Sequence, residues 1–160
     1  MSGAGRSEPG TPSVVVGVDG SIESIEALRR GASLAARLGA RLEAVTAWHY
    51  QMVLGTFVPV DYNAEATARA ALDAAIEQAF GAETPPGFTS RTIQGRPKDV
   101  LVDAARDAEM LVVASHGTGR VAGAFIGSVA HHLVGHCAVP VLVVPVHDHH
   151  PAHRQDPAGA

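Results

Sequence analysis

Three short runs, SVVVGV at 13–18, MLVVA at 110–114 and VLVV within 139–146, are apolar at nearly every position. A strand with one wet face alternates polar and apolar residues. A strand that does not alternate is covered on both faces, as in a parallel sheet clad by helices. The segments between such runs read as helices. After the first strand, SVVVGVD (13–19), Ser21 is placed as a helix N-cap with Glu23 in the first turn. Ile25, Leu28, Ala32, Ala35 and Leu38 then recur at three and four residues to make one apolar face, and Gly39 is placed to end the helix.

The same alternation runs to the end of the chain. RLEAVTAW (41–48) reads as a second strand, and 49–63 carries no clear pattern. The run from Ala64 to Phe80 is alanine-rich, with Leu72, Ala75, Ile76 and Ala79 on one side. GFTSRTIQG (87–95) alternates like a third strand. Pro97 suits a first helical turn, and Val100, Leu101 and Ala104 share a face behind it. EMLVVAS (109–115) is a fourth strand, SVAHHLVGHC (128–137) a helix and VPVLVVPV (139–146) a fifth strand. Parallel strands need right-handed crossovers, so the expected fold is a doubly wound α/β domain over 13–146, with helices on both faces. Residues 1–12 are expected to be flexible and 147–160 to form a disordered, His-rich tail.

Composition excludes several classes. The 160 residues fit one domain, and 46% hydrophobic with 18% charged residues describes a globular chain. A net charge of −4 gives no electrostatic reason to expect nucleic acid or an anionic membrane. No apolar run reaches the roughly 18–20 residues that span a bilayer. The N-terminus lacks the apolar stretch of a signal peptide, and Cys137 stands alone, so a cytoplasmic protein is expected.

Directly after the fourth strand, VVASHGTGRVAGAFIGSV (112–129) carries Gly117, Gly119, Gly123 and Gly127. In a doubly wound sheet, ligands sit beyond the carboxyl ends of the strands where strand order reverses. Three familiar phosphate motifs fail here. Lys98 is followed by Asp99, which rules out a Walker ending. Gly117, Gly119 and Gly123 are one residue too widely spaced for a dinucleotide fingerprint and follow the wrong strand, and the kinase loop fails likewise. What remains is a tight turn at Ser115–Gly117, a loop whose one cation is Arg120, and Gly127-Ser128 opening a helix. Helix starts present unpaired N–H groups that suit phosphate. A polyphosphate exceeds the charge of one arginine and one helix end, so Mg²⁺ or Mn²⁺ is implied.

The segment resembles the signature of the universal stress protein family: Gly, two residues, Gly, nine residues, Gly, then Ser or Thr. Gly117, residues 118–126, Gly127 and Ser128 match, while Ala114 replaces the first Gly. VVVGVDGS, VTAW and CAVPVLVVP extend the resemblance over nearly the whole patterned chain. It implies a Rossmann-like open sheet of five parallel strands in the order 3-2-1-4-5, homodimers, and adenine nucleotide (ATP, or ADP or AMP) in the crevice. By that similarity Asp19 and the backbone of Ala47 face the adenine, and Gly17 and Val18 belong to the same nucleotide site. Val113, Ala114, His116 and Gly117 line the ribose and α-phosphate, and Gly127, Ser128 and Val129 hold the outer phosphates, with Arg120 in the loop between. The resemblance implies a stress-response module, with conformational or partner-binding output and ATP turnover slow at best. Two alternatives stay open: a nucleotide-independent dimer acting through protein contacts, and a slow Mg²⁺-dependent ATP hydrolase.

Plainer roles compete for several residues. Asp19 could cap the first turn, Ser128 could be an N-cap, and His116 has no nucleophile or second carboxylate beside it in sequence. His132 and His136 are one turn apart, which permits a shared ion, and the tail holds His147, His149, His150 and His153. No cysteine or carboxylate pattern completes a structural zinc site, and a solvated face is the simpler reading. The last strand, 139–146, is an expected sheet edge on which a second copy can pair across a twofold axis. Pro140 and Pro145 limit how far that ladder can run.

Overall fold

The computed structural model describes residues 10–50, 63–117 and 126–145. The segment 1–9, the stretch 51–62, the loop bearing Gly119, Arg120 and Gly123, and the His-rich tail lie outside the described residues. Among the described residues, five strands and four helices alternate: β1 (Ser13–Gly17), α1 (Ile22–Leu38), β2 (Arg41–Trp48), α2 (Ala64–Phe80), β3 (Thr89–Gln94), α3 (Pro97–Ala104), β4 (Met110–Ala114), α4 (Ser128–His136) and β5 (Val141–Val144). All pairings are parallel and the order is 3-2-1-4-5. Central β1 aligns Val14 with Leu42 on one side and with Met110 on the other. The protein is thus an open, doubly wound α/β sheet. No helix among the described residues is long and apolar enough to cross a membrane.

Local chemistry sets the helix ends. Ser21 Oγ accepts from the Ser24 N–H at 3.1 Å, and Gly39 closes α1 at φ +62°. Asn63 Oδ1 caps α2 by accepting from the Ala66 N–H at 3.0 Å. Pro97 opens α3, where its missing N–H costs no helical bond.

Each strand divides its side chains between two cores. Val14 and Val16 of β1 join Ile25, Leu28 and Leu72 under α1 and α2. Val15 joins Leu101, Leu111 and Leu133 under α3 and α4. Val14, Val15 and Val16 have no exposed surface, so β1 is sealed on both faces as its apolar run predicts. Each such side chain contributes about 1.5–3 kcal/mol by leaving water.

The edges depart from the pattern. VLVV reads as a doubly covered strand, yet Val144 alone of β5 is fully buried and Leu142 is 37% exposed. As an edge strand β5 has a neighbour on one side only, and Pro140 and Pro145 confine it to Val141–Val144 instead of 139–146. Leu38, expected on the apolar face of α1, is half exposed because it occupies the last turn, beyond the sheet's reach. The first, third and fourth strands are likewise shorter than the segments 13–19, 87–95 and 109–115 that read as strands, and α4 ends one residue early with Cys137 as its C-cap.

Gly31 tests how tightly α1 lies on β1. A Cβ there would collide with Val16 Cγ2, a branched atom fixed in the central strand. Gly31→Ala sets a helix-propensity gain of about 1 kcal/mol against overpacking of about 1–3 kcal/mol. We expect overpacking to win, lowering the urea midpoint with an unchanged m-value.

Candidate functional site

The chain leaves β1 toward β2 and leaves β4 toward β5, in opposite directions along the sheet. Among the described residues, no crossover therefore covers the gap beyond the carboxyl ends of β1 and β4. A cavity of 240 Å³ opens there, with walls from the ends of β1, β2 and β4 and from the starts of α1, α3 and α4.

The β1 wall consists of Gly17, Val18 and Asp19. Val18 carries the pairing one residue past the strand, donating its N–H to the Val45 carbonyl at 2.9 Å. Asp19 Oδ1 accepts from the Ser21 N–H at 3.0 Å and from the Ser21 hydroxyl. The Asp19 N–H donates to the Oγ of buried Ser24 at 3.3 Å. Asp19 therefore holds the turn into α1, while the cap itself is Ser21. The other carboxylate oxygen faces Gly117, where a Cβ would collide with it. Gly117 is small because Asp19 occupies its side-chain space.

Across the cavity, the β4 tip and α4 are fastened together. The Ser115 N–H donates to the Val144 carbonyl at 2.8 Å, and the Ser115 carbonyl accepts from the Gly127 N–H. Gly127 has φ −70°, which any residue adopts. Its requirement is close approach, since a Cβ would stand 3.1 Å from the Ser115 carbonyl oxygen and 3.6 Å from His116 Cα. Gly127 is the N-cap of α4 and supplies no side-chain bond, so Ser128 is the first helical residue and not the cap. The amides of Ser128, Val129 and Ala130 have no intrahelical acceptor, and all three residues line the cavity. His116 stands beside Ser115, its Nδ1 3.1 Å from Ser115 Oγ.

Ala114 is an extended strand residue whose methyl shares the face of Met110 and Val112 and packs against the α1–α2 core. Val113 points to the opposite face, among Leu101 and Leu111. Both also contribute to the cavity wall, as does Ala47 of β2. Of the residues that the sequence assigns to the nucleotide site, Arg120 lies outside the described residues. Ser24, Val45, Pro97, Leu101, Ser115 and Ala130 line the cavity without having been assigned to the nucleotide site from the sequence. Val45 was accessible to reasoning, because residues two apart share a strand face with Ala47. Pro97 and Leu101 arrive through the packing of α3, which no local signal announces.

Other titratable groups lie away from the cavity. Partial burial, then repulsion from His136 and Lys98, lowers His132 below 6.5, with Asp99 opposing. Burial pushes the Cys137 thiol up. Among the described residues, no group of three or more His, Cys, Asp or Glu could hold a metal ion.

The profile of the universal stress protein family matches residues 11–145. The chain belongs to the universal stress protein family. Universal stress protein Rv2624c of Mycobacterium tuberculosis is 34% identical over 143 residues, covering 87% of this chain and 51% of the relative. Universal stress protein Mb2028c of Mycobacterium bovis is 32% identical over 140 residues, covering 82% and 47%. The chain thus spans about half the length of the curated relatives it matches. A universal stress protein solved in complex with cAMP is 31% identical with a TM-score of 0.64, covering 84% of this chain and 97% of that one. UspA from Lactobacillus plantarum shares the fold at a TM-score of 0.69 and 21% identity, covering 83% and 97%.

Two outcomes are expected. Gly127→Ala forces main chain against main chain, lowering stability by about 1–3 kcal/mol and speeding amide exchange at residue 127. The His132 proton is held less tightly in the fold than in the unfolded chain, so its contribution to stability is lost as pH falls through about 6.5. Urea titrations above and below that pH should show a smaller acid-side loss in His132→Gln than in the parent.

Proposed function

We propose that this universal stress protein binds an adenine nucleotide, ATP foremost, in the cavity between the tips of β1 and β4. Its occupancy is passed on as a change of conformation or partner binding in the stress response. One observation carries this reading: the start of α4, without a side-chain cap, opens onto a cavity whose β4 rim is Ala114, Ser115, His116 and Gly117. Amides at a helix start donate to phosphate oxygens, and the aligned peptide dipoles favour the negative charge.

Charge orients the ligand. The Asp19 carboxylate repels phosphate, so the nucleoside end belongs at the β1 wall and the phosphates at α4. Val18, Val45, Ala47 and Leu101 offer the apolar surface that a purine needs. The relative solved with cAMP supports a purine nucleotide in this fold. Mg²⁺ or Mn²⁺ would arrive with the phosphates and keep phosphate and water as its main ligands, since Asp19, the one carboxylate among the described lining residues, stands at the nucleoside end. Bound there, the ion would neutralise phosphate charge, and the Ser128 hydroxyl is the side-chain oxygen at the phosphate end that would hold it. The proposed module is cytoplasmic, and β5, within the edge segment 139–146, is the proposed homodimer contact.

Denaturing the purified protein and identifying what it releases by mass spectrometry tests the reading. An adenine nucleotide is expected. Calorimetric ATP titration with Mg²⁺ should show binding that Gly127→Val abolishes and that Ala114→Gly leaves unchanged or tightens. No released nucleotide and no ATP binding, with a dimer persisting in light scattering, would instead establish the protein-contact role.

A further inference from the structure

His132 and His136 stack on one face of α4, with ring centroids 3.8 Å apart and planes within 4°. His136 Nδ1 lies 2.8 Å from the His132 carbonyl oxygen. A carbonyl can only accept, so this nitrogen carries the proton and the lone pair of the neutral ring is at Nε2. Metal-bound histidines are held in this way, with one ring nitrogen donating to a fixed acceptor and the other left to ligate. We propose that His132 and His136 form a two-point site for a late first-row divalent ion of the Ni²⁺, Cu²⁺ or Zn²⁺ class.

The helix brings residues four apart onto one face, so both imidazoles are already adjacent. The two rings are in contact, and rotation about the broad χ2 well lets a nitrogen of each turn toward one ion. Imidazole selects late transition ions over Mg²⁺ or Ca²⁺, which separates this site chemically from one that handles phosphate. Asp99 and Lys98 of α3 are the charged groups that act on His132 from the neighbouring helix. With two protein ligands, water completes the coordination, as in open zinc sites. His132 lies one turn beyond Ser128, so the site neither needs nor blocks the cavity.

The test is titration of the full chain with Zn²⁺ alone, followed by NMR of the histidine side chains. His147, His149, His150 and His153 require a control in which all four are changed to Gln. Shifts at the His132 and His136 rings are expected in both the parent and that control. His132→Gln or His136→Gln should each weaken Zn²⁺ binding to α4 by about 100-fold, the advantage of a second linked contact. His136 is exposed and His132 half-exposed, so both variants should keep the parent's amide spectrum elsewhere. Zn²⁺ shifts confined to the tail histidines, or no shift at either helix ring, would overturn the proposal.

Discussion

Complete burial of Val14, Val15 and Val16 in β1 is the constraint from which the rest of this molecule follows. Hydrogen-bonded on both edges and sealed on both faces, β1 needs helices above and below and parallel neighbours on either side. Right-handed crossovers then send the chain outward from β1 in two directions. The cavity is the place those crossovers leave uncovered, so the same packing that stabilises the sheet also exposes the ends of β1 and β4.

Small residues serve that frame for different reasons. At Gly31 a methyl would meet a side chain of the central strand, at Gly117 a carboxylate, and at Gly127 a carbonyl. None of the three has a positive φ. What they share is the removal of bulk where two parts of the chain meet. Gly117 and Gly127 do so around the cavity, and Ala114 directs its methyl toward the α1–α2 core beside it. Where Gly117 and Gly127 stand, the cavity wall is main chain, and main-chain amides bind anions without the entropic cost of ordering a long side chain.

The fold was readable because its central strands carry a continuous apolar signal and its helices a periodic one. Val14 to Val16 and Leu111 to Val113 place themselves, and Ser21 and Gly39 mark the ends of α1 without tertiary information. The edges were harder. Leu142 is as apolar as Val112, and its exposure follows from which strand ends up outermost, a property of the assembled sheet. At the site, the two strand tips and the glycine signature brought Asp19, Gly117 and Gly127 to one cavity. Leu101 and Pro97 remained hidden because α3 reaches the cavity by packing alone. Sequence also could not show that Asp19 is already engaged in the turn before Ser21.

The bond from Gly127 to Ser115 has a further consequence for how this chain can vary. It closes the backbone into a ring whose two ends meet at a fixed point, beside the Ser115 tie to β5. Lengthening a closed loop costs entropy only logarithmically, so insertions between those ends should be inexpensive relative to changes at the clasp. Changes at Ser115 or Gly127 would instead undo the contact that fixes the start of α4 to the tip of β4.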